Sequence, residues 1–142
     1  MTATPFTRRT AALLSVPLAA VALAACGSTV STSSFKGEQK AAAQTVANLQ
    51  ADATANEPGK ICTQDLAAGV VAKLGGKRGC EQAIKSQLAE IDNLEVSVQS
   101  VKIGPGAATA TASAKSTYEG KSRAATISLV REGAAWKIVS TG

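Results

Sequence analysis

The chain has 142 residues, the length of one ordinary domain, and a formal net charge of +5 from 15 Lys and Arg against 10 Asp and Glu. It contains no histidine, which removes imidazole ligands, histidine general bases and every Ser-His or Cys-His catalytic pair. Aromatic residues make up 3% of the chain, too few for a base-stacking platform, so no nucleic-acid partner is expected.

The N-terminal segment carries the most specific pattern. Residues 1–9 are polar and positive, ending in Arg8-Arg9. Residues 11–25 are an uncharged run of mostly Ala, Leu and Val, the length of a signal-peptide apolar region. A bilayer-spanning helix needs about 20 apolar residues, and Pro17 interrupts this run. The run ends in Leu23-Ala24-Ala25-Cys26, followed by Gly27 and Ser28, which closely resembles the lipobox of bacterial lipoproteins. The resemblance implies a diacylglyceryl group on the Cys26 thiol, cleavage before Cys26, and a lipid anchor on the extracytoplasmic face of the cell membrane. Two acyl chains anchor stably where one short chain holds only marginally. An ordinary signal peptide with a chance cysteine, or an uncleaved anchor, are the alternatives. The residues after Arg8-Arg9 fit a twin-arginine motif poorly, so general secretion is the expected route. Without residues 1–25 the chain has 117 residues and, lacking Arg8 and Arg9, a net charge of +3. Its basicity therefore owes much to the leader. Residues 26–37 then comprise the lipidated Cys26 and a Gly-, Ser- and Thr-rich tether with no periodicity.

Of three cysteines, lipidation of Cys26 leaves Cys62 and Cys80. An even pair in an exported chain reads as a disulfide, with two separate buried thiols as the alternative. Closing a loop of about 19 residues contributes roughly 3 kcal/mol in the chain-entropy picture. Two thiolates without histidine make a poor metal site. The spacing is also unlike the Cys-x-x-Cys of redox-active pairs.

Residues 38–142 read as one domain, helices first. From Glu38 to about Ala55, Ala42, Val46, Leu49 and Ala53 recur at helical spacing, and Asn56-Glu57-Pro58-Gly59 stops the helix. Thr63 is placed to cap a second helix carrying Leu66, Val70 and Leu74 on one side, ended by Gly75-Gly76. A third helix opens near Cys80 and aligns Cys80, Ile84, Leu88 and Ile91, so a Cys62–Cys80 bridge would clamp both ends of the second helix. Strands follow. Leu94, Val96 and Val98 alternate and then slip phase to Val101 and Ile103, which predicts a bulge and a bent strand. Gly104-Pro105-Gly106 turns the chain into residues 107–118, where Ala108, Ala110, Ala112 and Ala114 share one face. Glu119-Gly120 and Glu132-Gly133 turn it again, around a strand with Ala125, Ile127 and Leu129 on one face. Trp136 and Ile138 close the pattern. Helices followed by four hairpin-linked strands make an α+β domain, its N-terminal helices packed on a bent antiparallel meander.

This order, with the cysteine pair near Cys62 and Cys80 and the ending Leu129-Val130-Arg131-Glu132-Gly133-Ala134-Ala135-Trp136-Lys137-Ile138, resembles the small actinobacterial lipoproteins whose domain has the cone-shaped, nuclear-transport-factor-2-like (cystatin-like) fold. The resemblance covers residues 38–142. It implies a fold that hosts enzymes such as ketosteroid isomerases and dehydratases, and also proteins that only bind or assemble.

Acid/base chemistry on such a fold would draw on Asp52, Asp65, Glu90, Asp92, Glu95 or the single Tyr118. Asp65 reads as a first-turn carboxylate suited to a helix dipole, and Asp52 as a residue of a solvated helix face. None sits amid apolar residues that would raise its pKa, so no catalytic residue, cofactor or metal is assigned. The alanine face of residues 108–114 has two readings. Small side chains let helices pack close to the sheet, or they leave an apolar ligand cavity walled by Ala108, Ala110, Ala112, Ala114, Ile127, Leu129 and Trp136. Lys73, Lys77 and Arg78 around Gly75-Gly76 lack the spacing of a phosphate loop and read as a solvated helix end. The expected molecule is a membrane-anchored, non-catalytic module for a small hydrophobic ligand or an envelope protein, with an isomerase- or dehydratase-like enzyme as the alternative.

Overall fold

The computed structural model describes residues 31–91, 95–118 and 120–142, with Tyr118 by its backbone alone. The leader, Cys26, the first part of the tether, Asp92, Leu94, Glu119 and the Tyr118 side chain lie outside the described residues.

Helix α1 spans Gly37–Thr54. It has no side-chain N-cap, but Glu38 in its first turn suits the positive helix end. At 100° per residue, Gln39, Ala42, Ala43, Thr45, Val46, Leu49 and Gln50 fall within an arc of about 160°, and this stripe faces the sheet. Its end is a Schellman turn: Glu57 N–H donates to Asp52 O at 2.9 Å and Asn56 N–H to Ala53 O at 3.0 Å. Asn56 adopts φ of 54°, a left-handed conformation that asparagine tolerates well, and Pro58 then prevents continuation.

The second helix departs from the sequence expectation. Residues 58–65 form a short helical turn, α2 (Pro58–Lys60), running into a π-turn at Ile61–Asp65. Leu66 and Ala67 are then extended, and a separate six-residue helix α3 spans Ala68–Lys73. Thr63 caps nothing here; its hydroxyl donates back to Gly59 O at 2.7 Å. Leu66 instead forms a parallel bridge with Ile138, and Ala67 N–H donates to Ile138 O at 2.9 Å. A sheet edge presents unpaired backbone groups, and this segment satisfies some of them. Helix α4 runs from Gly76 to Leu88 and so begins before Cys80. Lys77 and Arg78 accordingly open a helix rather than end one. Gly79 is required where α4 crosses the end of α3, because a Cβ there would run into the Leu74 carbonyl oxygen.

The cysteines form a Cys62–Cys80 disulfide with a Cα–Cα distance of 6.0 Å. It joins the π-turn to the body of α4 and encloses α3, rather than clamping the two ends of one helix. Of the expected α4 stripe, Cys80 is fully buried, Ile84 and Leu88 are half-buried, and Ile91 lies beyond the helix and is exposed.

Four strands, β1 (Glu95–Ile103), β2 (Thr109–Tyr118), β3 (Lys121–Glu132) and β4 (Ala135–Thr141), make an antiparallel sheet in the order β1-β2-β3-β4. The molecule is thus α+β, helices first and an open meander after. The predicted phase slip is present: pairing of β1 with β2 shifts between Val98 and Ser100. A second shift falls between Ser128 and Leu129 in the β3–β4 pairing. Directly opposed residues share a face. Val101, Ala112 and Ile127 therefore align across the sheet, as do Ile103, Ala110, Leu129 and Ile138. That face and the stripe of α1 make one core. Polar side chains of α1 bond both sheet edges: Gln39 Nε2 donates to Val101 O at 2.9 Å, Gln50 Oε1 accepts from Val96 N–H at 3.1 Å, and Thr45 Oγ1 donates to Trp136 O at 3.2 Å. Among the described residues no helix is long and apolar enough to cross a membrane.

Candidate functional site

The residues expected to wall a cavity are mostly packed core. Ala110, Ala112 and Ala114 are 3%, 0% and 3% exposed and join Ile127, Leu129, Trp136 and Ile138 in one cluster with Ala42, Ala43 and Val46 of α1. Ala108 is not on that face. A 3-10 turn at Pro105–Ala107 delays the strand, Ala108 still has turn dihedrals, and its side chain is exposed. The small residues bring α1 close to the sheet.

Among the described residues, surface clefts lie elsewhere, two of them beside the π-turn. One, of about 350 Å³, runs between α3 and the β3–β4 hairpin, with Leu66, Val71 and Ala72 among its walls. Helix α3 has no buried residue and is fastened there by Ala68 N–H donating to Glu132 Oε1 at 3.0 Å. The other, of about 460 Å³, opens between α1, the π-turn and β4, and Gln44, Asn48, Asp65, Trp136 and Lys137 line it.

Asp65 is the side chain that sequence reasoning misplaced. The expected first turn is a π-turn, and it turns Asp65 inward, leaving it 1% exposed. Among the described residues its Oδ2 has no hydrogen-bonding partner. Burial pushes its pKa up to about 7, aided by the Asp52 carboxylate and a hydrogen bond between the two side chains, while Lys137 pulls the other way. Asp52, expected on a solvated face, is only 15% exposed in its side chain; Lys60 Nζ stands 3.9 Å from it and also pairs with Glu57. The Lys137 ammonium donates to Thr63 O at 3.3 Å and to Gln64 O. Cations thus flank a pair of carboxyls. Spacing alone could have placed Asp52 and Lys60 together across the helix stop, but nothing local to Asp65 signals its burial.

A second polar constellation ties α1 to the last hairpin. Glu38 accepts hydrogen bonds from Arg131 and from Trp136 Nε1, the latter at 2.9 Å, and the Arg131 guanidinium stacks 5.7 Å from the Trp136 ring centre. These bonds hold the Glu38 carboxyl below its ordinary pKa, the Arg131 bond most strongly. Glu90 and Glu95 are exposed. Among the described residues no group of three or more Cys, Asp or Glu is gathered as a metal site.

No family model matches the chain, and comparison with curated proteins and with solved structures finds no similar protein.

Proposed function

We propose that the protein is an extracytoplasmic lipoprotein, held to the cell membrane by a diacylglyceryl group on Cys26, whose α+β domain is a non-catalytic binding or interaction module of the cone-shaped, cystatin-like kind. The observation that carries this reading is the division of the cysteines. One stands in the lipobox-like Leu23-Ala24-Ala25-Cys26, and the other two are joined to each other. Disulfides persist in oxidising compartments, which supports export independently of the leader. The tether beyond Cys26 gives the domain reach from the bilayer.

A hydrophobic ligand would not sit on the alanine face, which α1 covers. It would use the cleft at α3, where Leu66, Val71 and Ala72 offer apolar contact beside a helix with no buried anchor. An envelope protein docking there is the interaction form of the same proposal. One observation favours the enzyme alternative: a buried carboxyl titrating near neutrality beside a cleft suits general acid/base chemistry. Burial and the second carboxyl beside it explain the same pKa without a substrate, so binding is the better-supported reading.

The test expresses wild type and Cys26→Ala in the native type of host and separates membrane from medium. Wild type should fractionate with membranes and the variant should be released or retain its leader. Identical partitioning and identical mature mass would contradict the anchor. Native mass spectrometry of the wild-type protein extracted from those membranes then reads out any retained ligand or partner.

A further inference from the structure

Charge is unevenly spread over the domain. Residues 68–88, which hold α3, the turn after it and α4, carry Lys73, Lys77, Arg78 and Lys85 against one carboxylate, Glu81, a net +3. Residues 26–142 as a whole also sum to +3, so the rest of that chain is balanced. Three of the cations ring the hairpin tip, Lys73-Leu74-Gly75-Gly76-Lys77-Arg78, and enclose Leu74, one of two large apolar side chains left exposed among the described residues. A helix start favours acids, yet the first turn of α4 has no acidic residue and no side-chain cap. The fold answers little of this charge. Lys77 stands 3.9 Å from Glu81 at the surface, where such pairs are weak, and Lys73, Arg78 and Lys85 enter no ion pair among the described residues. We propose that the α3–α4 hairpin is a second contact with the membrane: its cations rest on the anionic headgroups of the bilayer surface, with Leu74 seated among them.

Packing leaves this surface free. Helix α3 has no buried residue and α4 buries only Cys80. Helix α4 packs on α2, the π-turn and α3, and among the described residues the main core cluster takes no side chain from α3 or α4. Cys80, Ala83 and Ile84 mark the inward side of α4, while Arg78 and Lys85 fall within about 20° of each other on the opposite side, both exposed. The anchor brings a bilayer within reach. Phe35 packs on the core and Thr32 Oγ1 donates to Gln44 Oε1 at 3.4 Å, so the domain begins within five residues of Cys26. The steps from Cys26 to Ser31 span at most about 18 Å. Gln44 lines the cleft at β4, Gly76 of the hairpin tip lines the cleft at α3, and Thr63 and Lys137 line both. The tether and the hairpin tip therefore border adjoining clefts. An anionic bilayer attracts each basic residue held within a Debye length of it, about 10 Å. Four such attractions are weak for a free protein, but a lipid on Cys26 makes the contact intramolecular. The docking thus rests on the lipid anchor proposed above. A protein partner would need a broader apolar area than one exposed leucine.

The test uses the protein extracted from native membranes, its intact mass read first, then inserted into preformed vesicles of phosphatidylcholine alone or with phosphatidylglycerol added. A membrane-impermeant acetylating reagent labels the lysines, and peptide mass spectrometry gives each rate relative to Lys115 and Lys121, exposed lysines of β2 and β3. On the anionic vesicles Lys73, Lys77 and Lys85 should be labelled about threefold or more slowly than on the neutral ones. Salt at about 1 M should erase the difference. Lys73→Glu combined with Arg78→Glu changes two exposed side chains and reverses the sign of the hairpin charge, so Lys77 and Lys85 should lose their protection while the protein stays anchored. Lipid on Cys26 with equal labelling on the two vesicle types, or protection that survives salt or the charge reversal, overturns the docking and leaves the anchor standing. Absence of lipid on Cys26 overturns both.

Discussion

Replacing Ala112 with leucine distinguishes a packed alanine face from a ligand cavity. Ala112 is 0% exposed, stands between Val101 and Ile127 in register, and belongs to the cluster that contains Ala42, Ala43 and Val46 of α1. A leucine there adds three carbons where α1 already lies against the sheet, so the helix must lift or neighbours must leave their rotamers. Overpacking of that kind costs about 1 to 3 kcal/mol. Ala108, four residues earlier, is exposed, and Ala108→Leu serves as the control, with a change within about 0.5 kcal/mol expected at such surface positions. Urea unfolding followed by the single tryptophan, Trp136, gives both values from the same probe. A large loss for Ala112→Leu and little for Ala108→Leu is the expected result. Unchanged or increased stability for Ala112→Leu would refute the packing argument and restore the cavity.

Further outcomes follow from the disulfide and the two carboxyl sites. Converting Cys62 and Cys80 together to alanine should lower stability by about 3 kcal/mol, the chain-entropy value for this loop, checked by urea midpoints of the variant and the disulfide-intact wild type. Asp65 has a native pKa of about 7 against an ordinary 3.8, so the native state binds more protons between these values; stability should fall as pH rises from about 4 to 7 and level off above. The fall is up to about 4 kcal/mol, and Asp65→Asn should flatten it in urea midpoints measured from pH 4.5 to 8. Glu38 behaves oppositely. Its lowered native pKa means its contribution is present above the ordinary 4.5 and disappears as acid protonates it, and Glu38→Ala should red-shift Trp136 emission at neutral pH but leave no further acid-dependent shift.

The strands were legible because their signals are local. Alternation, the slip between Val98 and Val101, and Glu132-Gly133 each act over two or three residues, and each appears in the structure. The first helix was legible for the same reason, its stop being written in Asn56 and Pro58. The second helix was not. Leu66, Val70 and Leu74 have helical spacing, but the outer edge of β4, some seventy residues on, takes Leu66 and Ala67 into an extended pairing that no local signal announces. Asp65 failed likewise: the π-turn at Ile61–Asp65 turns it inward, and no local spacing announces that turn. The alanine face shows a third limit. Alternation identified Ala110, Ala112 and Ala114 as one surface, yet whether a helix fills the space above them depends on Ala42 and Ala43 being equally small.

The most direct measurement on the proposed identity is the intact mass, with N-terminal peptide sequencing, of the mature protein extracted from native membranes. Lipoprotein processing predicts a chain that starts at Cys26, carries the added mass of a diacylglyceryl group on that residue, and retains a bond between Cys62 and Cys80. A chain recovered without lipid mass on Cys26, or with Cys26 bonded to another cysteine, would contradict it.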